Sequence, residues 1–102
     1  MGKTISVRVP FPKKIAEDLI QEATNMKLSH SGYLKILIEE CLVNFNESGG
    51  ELSSLLNYSL GFDEYIQIYI PVSTHDKIRN LARGMDTSKI CSYLVQKGRD
   101  LL

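Results

Sequence analysis

The sequence lacks residues on which several classes of protein depend. Its 102 residues include two cysteines, three prolines and no tryptophan. Two cysteines cannot build a disulfide framework, and with only two histidines they lack the closely spaced ligand pairs of a zinc site. No apolar run is longer than the three residues of Ile36–Ile38, which argues against a membrane span or a secretory signal sequence. The expected location is the cytoplasm, or the host cytoplasm if a virus or plasmid encodes the chain.

Motifs of catalysis are missing as well. The sequence contains no nucleophile elbow, no phosphate-cradling glycine loop and no cluster of metal-ligand residues. Its 43% apolar and 24% charged residues are ordinary for a folded domain of this length. We therefore expect a protein that is not an enzyme and that uses no cofactor, no metal and no small-molecule substrate.

Positive and negative charges are balanced in number but not in position. The chain has twelve Lys and Arg residues and twelve Asp and Glu residues, which argues against coating nucleic acid by bulk charge. Residues 1–14 contain four bases and no acid, residues 15–64 nine acids and two bases, and residues 65–102 six bases and three acids. This dipolar pattern could orient the molecule on a polyanion.

Two segments that lie 61 residues apart share one pattern. In residues 4–10 (TISVRVP) and 65–71 (YIQIYIP), β-branched apolar residues alternate with other residues, and a proline closes each segment. An alternation with a period of two is typical of a half-buried strand. The faces predicted to be buried consist of Ile5, Val7, Val9, Ile66, Ile68 and Ile70.

Each predicted strand is followed by two helical patterns. In the first half, one pattern starts behind Pro12 at a favourable first helical position, and the next starts at Ser29, a favourable N-cap. In the second half, Ser73 and Asp76 have the spacing of a capping box, and residues 86–88 restart a helix. The apolar residues expected to face the core include Ile15, Leu19, Ala23, Met26, Cys41 and Cys91.

The chain therefore consists of two strand–helix–helix units, in residues 1–45 and 65–102. A unit of about 40 residues buries too little surface to fold alone, and a lone strand has no partner for its backbone groups. Both problems are solved if the two strands pair antiparallel above a shared core of four helices. We expect one compact domain.

These features resemble the ribbon-helix-helix family of transcription regulators, the Arc/MetJ/CopG class. The resemblance covers residues 3–45 and 65–102. It depends on the alternating strand that ends in proline and on Ser29-His30-Ser31 at the start of a second helix, which residues 86–88 echo. Family members usually carry one copy and dimerise. This chain resembles such a dimer fused in tandem, which implies an α+β fold with an intramolecular pseudo-dimer.

The resemblance implies an antiparallel β-ribbon that enters the major groove of double-stranded DNA, with its outward side chains at base edges. Arg8 could bind guanine O6 and N7, and Gln67 could bind adenine N6 and N7. Because the two strands differ at every outward position, we expect an asymmetric core site rather than a palindrome. The residues expected to contact bases are Thr4, Ser6, Arg8, Tyr65, Gln67 and Tyr69.

The N-termini of the second helices are implied to contact the DNA backbone, since their free N–H groups and positive dipole ends attract phosphate. Asp86 would repel a nearby phosphate, so that end is expected to bind less tightly. The resemblance also makes self-association of several chains along DNA possible. No membrane partner is expected. The residues expected to contact phosphates are Lys3, Lys13, Ser29, His30, Ser31, Thr87, Ser88 and Lys89.

The connector, residues 46–64, starts as a loop by composition at 46–50. Farther along, residues 56–62 alternate again with a period of two. Two structures fit this segment. One is a third strand over about residues 55–60, paired with the second strand, and the other is a short amphipathic helix through Leu52, Leu55 and Leu56.

Two functions remain open on the sequence alone. The favoured one is a sequence-specific DNA-binding regulator that represses or activates nearby promoters. The alternative is a protein-interaction module with the same fold, such as an antitoxin-like or small assembly protein. Tyr65 and Tyr69 suit a partner-protein surface as well as DNA.

Overall fold

The computed structural model describes residues 3–48, 61–82 and 84–101. Within these residues, a strand followed by two helices occurs twice, which confirms the predicted α+β class. The first unit contains β1 (Thr4–Phe11), α1 (Lys13–Asn25) and α2 (His30–Ser48). The second contains β2 (Glu64–Pro71), α3 (Val72–Ala82) and α4 (Thr87–Leu101).

β1 and β2 form a two-stranded antiparallel sheet in the described part of the chain, as their alternating patterns predict. Val7 lies opposite Ile68, and both side chains are buried beneath the sheet. The same face carries Val9, Ile66 and Ile70, which are buried as well. The predicted apolar face is therefore confirmed, and the alternate side chains are left on the other, exposed side.

The second helix of each unit covers the strand of the other unit. α2 packs on β2, α4 packs on β1, and α2 and α4 cross against each other. The crossing is close because residue 98 is glycine. A Cβ at Gly98 would collide with the carbonyl oxygen of Leu37 and lie 2.8 Å from its carbonyl carbon. Since each strand needs a helix from the other unit, the two units close one core together.

The core lies between the sheet and the helices. Fully buried large side chains come from β1 (Phe11), α2 (Leu34 and Leu37), α3 (Ile78) and α4 (Leu94). Among the described residues, no helix combines the length and the apolar character that crossing a bilayer requires. Because these buried side chains pack tightly against one face of the sheet, the opposite, exposed face has a defined shape.

Two predicted helix starts are wrong. Pro12 is the N-cap of α1 rather than its first residue, because its ψ of 146° keeps it extended. β2 passes directly into α3 at Val72, so Ser73 lies inside the helix instead of capping it. The amide of Val72 still donates to the Lys3 carbonyl at 3.0 Å, which continues the strand ladder up to the first helical residue. Pro71 fixes φ near the helical value and allows this abrupt change.

Two further local predictions are wrong. The loop expected at 46–50 starts too early, since α2 continues to Ser48. Its polar residues each cost at most about 0.7 kcal/mol in a helix, too little to end one. Met26, expected in the core, is the C-cap of α1 and is 52% exposed. The third strand predicted at about 55–60, and the rival helix, lie outside the described residues.

Both units turn between their helices through a residue with left-handed backbone. Lys27 has φ 58° and Gly84 has φ 91°. Each lies two residues before a side chain that caps the next helix. Ser29 Oγ accepts from the Gly32 amide at 3.0 Å, and Asp86 Oδ1 accepts from the Ser88 amide at 2.9 Å. The N-cap predicted at Ser29 is confirmed, and the turns of the two units correspond.

Candidate nucleic-acid interface

The exposed side of the sheet, which we call the ribbon face, carries all six predicted base-contacting residues. All six are exposed because they alternate with the buried positions of β1 and β2. Arg8 lies opposite Gln67, and Ser6 lies opposite Tyr69. Tyr65 is opposite Pro10, and Thr4 is opposite Pro71. Each strand comes from a different unit, so the two sides of the ribbon face carry different side chains.

Arg8 is stacked on an aromatic ring. Its Cζ lies 4.9 Å from the centroid of the Tyr65 ring, within the range of a cation–π interaction. Tyr65 is 46% exposed, so the stacked pair stands in solvent at one end of the ribbon face. The flat guanidinium keeps its N–H donors available at its edges while the ring covers one of its faces.

Gln67 is held by hydroxyl groups. Its Nε2 donates to Ser6 Oγ at 2.6 Å and to Tyr69 Oη at 3.4 Å. The contact with Tyr69 is long for a hydrogen bond, so one amide hydrogen and the carbonyl oxygen Oε1 can turn toward a ligand while the other hydrogen stays on Ser6. Tyr69 is 53% exposed, so this cluster also faces solvent.

The N-terminus of α2 lies beside the edge of β2. Ser31 Oγ accepts from the backbone amide of Tyr69 at 2.9 Å, which ties the start of α2 to the sheet. Ser29 uses its own oxygen to cap the helix. Of the predicted phosphate-contacting residues at this end, His30 and Ser29 are exposed and Ser31 is half-buried. Lys3, next to the start of β1, is exposed.

The N-terminus of α4 has a different chemical character. Its cap is the carboxylate of Asp86, and Thr87, Ser88 and Lys89 behind it are all half-buried. The Lys89 ammonium lies 5.7 Å from the centroid of the Phe62 ring. The two helix N-termini therefore do not present equal charge, since one is capped by a hydroxyl and the other by an acid.

The segment before β2 brings one acidic residue, Asp63, to the start of α1. Asp63 Oδ2 accepts from the backbone amide of Lys13 at 3.3 Å, while the Lys13 side chain stays exposed. A Cβ at Gly61 would lie 2.9 Å from the backbone of Pro12, so this segment passes close to the α1 N-terminus. The predicted phosphate-contacting Lys13 is thus paired on its main chain with a carboxylate.

A polar cluster that the sequence reasoning missed joins the two units. Arg99 on α4 donates from Nε to Glu22 on α1 at 2.8 Å, and its Nη2 lies 2.7 Å from the same carboxylate oxygen. Tyr33 Oη donates to the other oxygen of Glu22 at 2.6 Å, and Asp18 lies 3.6 Å from Arg99 Nη2. In the sequence, the only sign of this cluster is the pair of acids Asp18 and Glu22, one helical turn apart on α1. Their partner Arg99 could not be identified from the sequence because it lies 77 residues after Glu22.

The pKa values in this cluster follow from its contacts. Burial alone would raise the pKa of Glu22, but hydrogen bonds from Tyr33 and Arg99 and the charge of Arg99 outweigh it and hold the pKa below its usual value. Burial and the bond to Glu22 raise the pKa of Tyr33 to about 12. The pKa of Arg99 is raised mainly by the hydrogen bond to Glu22. The cluster is therefore an ionised pair with a neutral tyrosine at neutral pH.

The two thiols are unsuited to chemistry at neutral pH. Cys41 and Cys91 are free and buried, as expected of core residues. Burial raises the pKa of Cys41 to about 11 and that of Cys91 to about 12, so both stay protonated. In the described ranges, no group of three or more His, Cys, Asp or Glu side chains is placed to hold a metal ion.

Comparisons with protein-family models, with curated proteins and with solved structures found no match to this chain. Its function must therefore be inferred from the ribbon face and the groups around it. The distinguishing property of that face is a pair of strands from different units that present arginine, amide and hydroxyl groups outward.

Proposed function

We propose that this protein is a sequence-specific double-stranded DNA-binding transcription regulator built from two ribbon-helix-helix motifs in one chain. The ribbon of β1 and β2 would lie in the major groove of DNA, and the protein would repress or activate promoters near its site. The observation that carries the proposal is the ribbon face, where exposed hydrogen-bonding side chains from both strands stand above a sealed apolar core. A two-stranded ribbon fits a groove about 12 Å wide.

The chemistry of the ribbon face supports base recognition. Arg8 supplies a planar donor group suited to guanine O6 and N7, and Gln67 supplies an amide suited to adenine N6 and N7. Each such contact contributes about 1–3 kcal/mol of discrimination against the wrong base. Since Arg8 and Gln67 face each other near the middle of the ribbon, both would reach base pairs within one site.

Backbone contacts would come from the edges of the ribbon. Exposed Lys3 and His30 would meet phosphates near the end of the ribbon where Thr4 pairs with Pro71, and the exposed side chain of Lys13 would do so beyond the opposite end of β1. At the other helix N-terminus, the Asp86 carboxylate would oppose a phosphate. We therefore expect unequal backbone contacts, an asymmetric site and an affinity that falls steeply as salt rises.

One observation favours a second candidate, a protein-interaction module. Tyr65 and Tyr69 are 46% and 53% exposed on the ribbon face, and exposed tyrosines are enriched where proteins bind one another. A partner protein could cover the face that would otherwise meet DNA.

Selection of bound sequences from a random duplex pool at two salt concentrations tests the proposal. The expected result is an asymmetric preferred site bound more weakly at the higher salt concentration. Arg8→Ala and Gln67→Ala should each lose discrimination while remaining folded by circular dichroism. Arg79→Ala is the matched control, because Arg79 is an exposed arginine on α3, outside the ribbon face.

The outcomes separate the candidates. Binding without any preferred sequence would indicate a general nucleic-acid-binding protein rather than a sequence-specific one. A perfectly palindromic preferred site would contradict the proposal that β1 and β2 recognise different bases. No binding to any duplex would favour the protein-interaction module. If a preferred duplex is found, native mass spectrometry of its complex with the protein would count the chains bound per site, which tests self-association along DNA.

A further inference from the structure

Two diagonal contacts cross the ribbon face. One involves Arg8 and the other involves Gln67, the two residues proposed to recognise bases. Arg8 is paired with Gln67 in the strand register, but its guanidinium stacks on Tyr65, two residues earlier in β2. Gln67 in turn donates to Ser6, two residues earlier in β1 than Arg8. Diagonal neighbours of this kind lie within reach of long side chains in an antiparallel pair.

The diagonals send the two functional groups in opposite directions along the ribbon. The guanidinium of Arg8 leans toward the end of the sheet where Phe11 pairs with Glu64. The amide of Gln67 leans toward the end where Thr4 pairs with Pro71. Two residues that face each other in the backbone register therefore offer their polar groups at two separate places.

We propose that Tyr65 is the positioning residue of Arg8 and that Ser6 is the positioning residue of Gln67, so that the ribbon reads two separate base pairs through two independent pairs of residues. This inference rests on the proposed function, since it assigns specificity within the same DNA site. Tyr65 and Ser6 act through their neighbours and determine which base each neighbour can select.

The physical reason is preorganisation. Arginine and glutamine have many rotamers in solvent, and binding in one rotamer costs the entropy of the others. Stacking on Tyr65 and hydrogen bonding to Ser6 restrict those rotamers before DNA arrives. An exposed cation–π contact of this kind corresponds to about a two- to five-fold change in an equilibrium constant.

The test for Arg8 uses two substitutions of Tyr65. Tyr65→Leu removes the ring, and Tyr65→Phe keeps it. We expect Tyr65→Leu to lower discrimination by about two- to five-fold at the base pair whose preference Arg8→Ala abolishes, and to leave the Gln67-dependent base pair unchanged. Tyr65→Phe should retain discrimination at both. The measurement is the ratio of Kd values for duplexes that differ at one base pair.

The test for Gln67 is parallel. Ser6→Ala removes the hydroxyl, and Ser6→Thr keeps it. Ser6→Ala should lower discrimination only at the base pair that depends on Gln67, and Ser6→Thr should retain it. A merely structural effect would lower binding at both base pairs together, so the selective loss is diagnostic of positioning.

A measurement without DNA checks the geometry itself. The Arg8 side-chain protons should be shifted upfield by the Tyr65 ring in NMR spectra of the free protein. The shift should persist in Tyr65→Phe and disappear in Tyr65→Leu. An unshifted Arg8 in the wild-type chain would overturn the inference.

The inference and the proposed function fail in different ways. If Arg8→Ala and Gln67→Ala change the preferred sequence but the Tyr65 and Ser6 variants behave as wild type, or lose affinity equally for every sequence, only the positioning roles are overturned. If wild-type protein prefers no duplex sequence, the proposed function fails and the positioning roles fail with it.

Discussion

Arg99 and Glu22 join the last helix of the chain to the first through a two-nitrogen contact. Arg99 Nε lies 2.8 Å and Nη2 2.7 Å from Glu22 Oε2, and Nε also lies 3.2 Å from Oε1. Both side chains are 31% exposed, so the pair is partly shielded from solvent. Tyr33 completes the cluster from α2, which connects three helices of two units.

Removing Arg99 should destabilise the folded chain. Arg99→Leu deletes a charge-assisted contact and leaves the Glu22 carboxylate partly buried, with Tyr33 as its remaining donor among the described residues. We therefore expect a loss of about 1–2 kcal/mol in the free energy of unfolding. Urea denaturation measures it. The control is Arg79→Leu, whose contact with Asp76 is 4.0 Å long and mostly exposed, with an expected loss below about 0.5 kcal/mol. Equal effects of the two substitutions would contradict the assigned role.

The same cluster predicts a pH dependence. The folded-state pKa of Glu22 lies below its ordinary value of 4.5, so its contribution to stability is complete above pH 4.5 and is lost as pH falls through the lower folded-state value. The difference in unfolding free energy between wild type and Glu22→Gln should therefore be constant near neutral pH and shrink below pH 4.5. Urea denaturation across this range measures it. In an Arg99→Leu background the pH-dependent part should be smaller. A difference that grows on acidification would contradict the sign.

Gly98 should not tolerate a side chain. Gly98→Ala places a Cβ against the Leu37 carbonyl group, which is backbone and cannot rotate away, so α2 and α4 must separate. We expect a loss of about 1–3 kcal/mol, measured as a lower midpoint of thermal unfolding. Gly32→Ala is the matched control, since its Cβ would meet only the Ser29 side chain, at 3.0 Å. Gly32→Ala should change stability by less than about 1 kcal/mol because alanine also favours the helix.

The two left-handed turn residues should respond in opposite directions. Lys27→Gly removes the steric cost of a side chain at φ 58°, so we expect a gain of up to about 1 kcal/mol. Gly84→Ala introduces that cost at φ 91° and should lose about 1–2 kcal/mol, although a Cβ there meets nothing within 4 Å. Urea denaturation of both variants measures the effects. A loss of stability in Lys27→Gly would show that the Lys27 side chain contributes more than its backbone conformation costs.

Much of the fold was predictable because it depends on the short-range periodicity of apolar residues. The alternation in β1 and β2 determines which side chains are buried and which form the ribbon face. Arg8 and Gln67 could be placed outward without coordinates for this reason. Helix boundaries were less predictable, as at Ser73, because Pro71 allows a strand to become a helix without a loop.

By itself, the sequence determined the class of the fold, the repeated strand–helix–helix order and the two faces of the sheet. Only the tertiary structure decided that α2 packs on β2 and α4 packs on β1. It also decided that Gly98 permits the close approach of α2 and α4 and that Arg99 pairs with Glu22. It also decided the diagonal partners of Arg8 and Gln67. The reason is distance along the chain: periodicity reports a residue's immediate neighbours, whereas contacts between residues dozens of positions apart depend on how the packed elements are oriented.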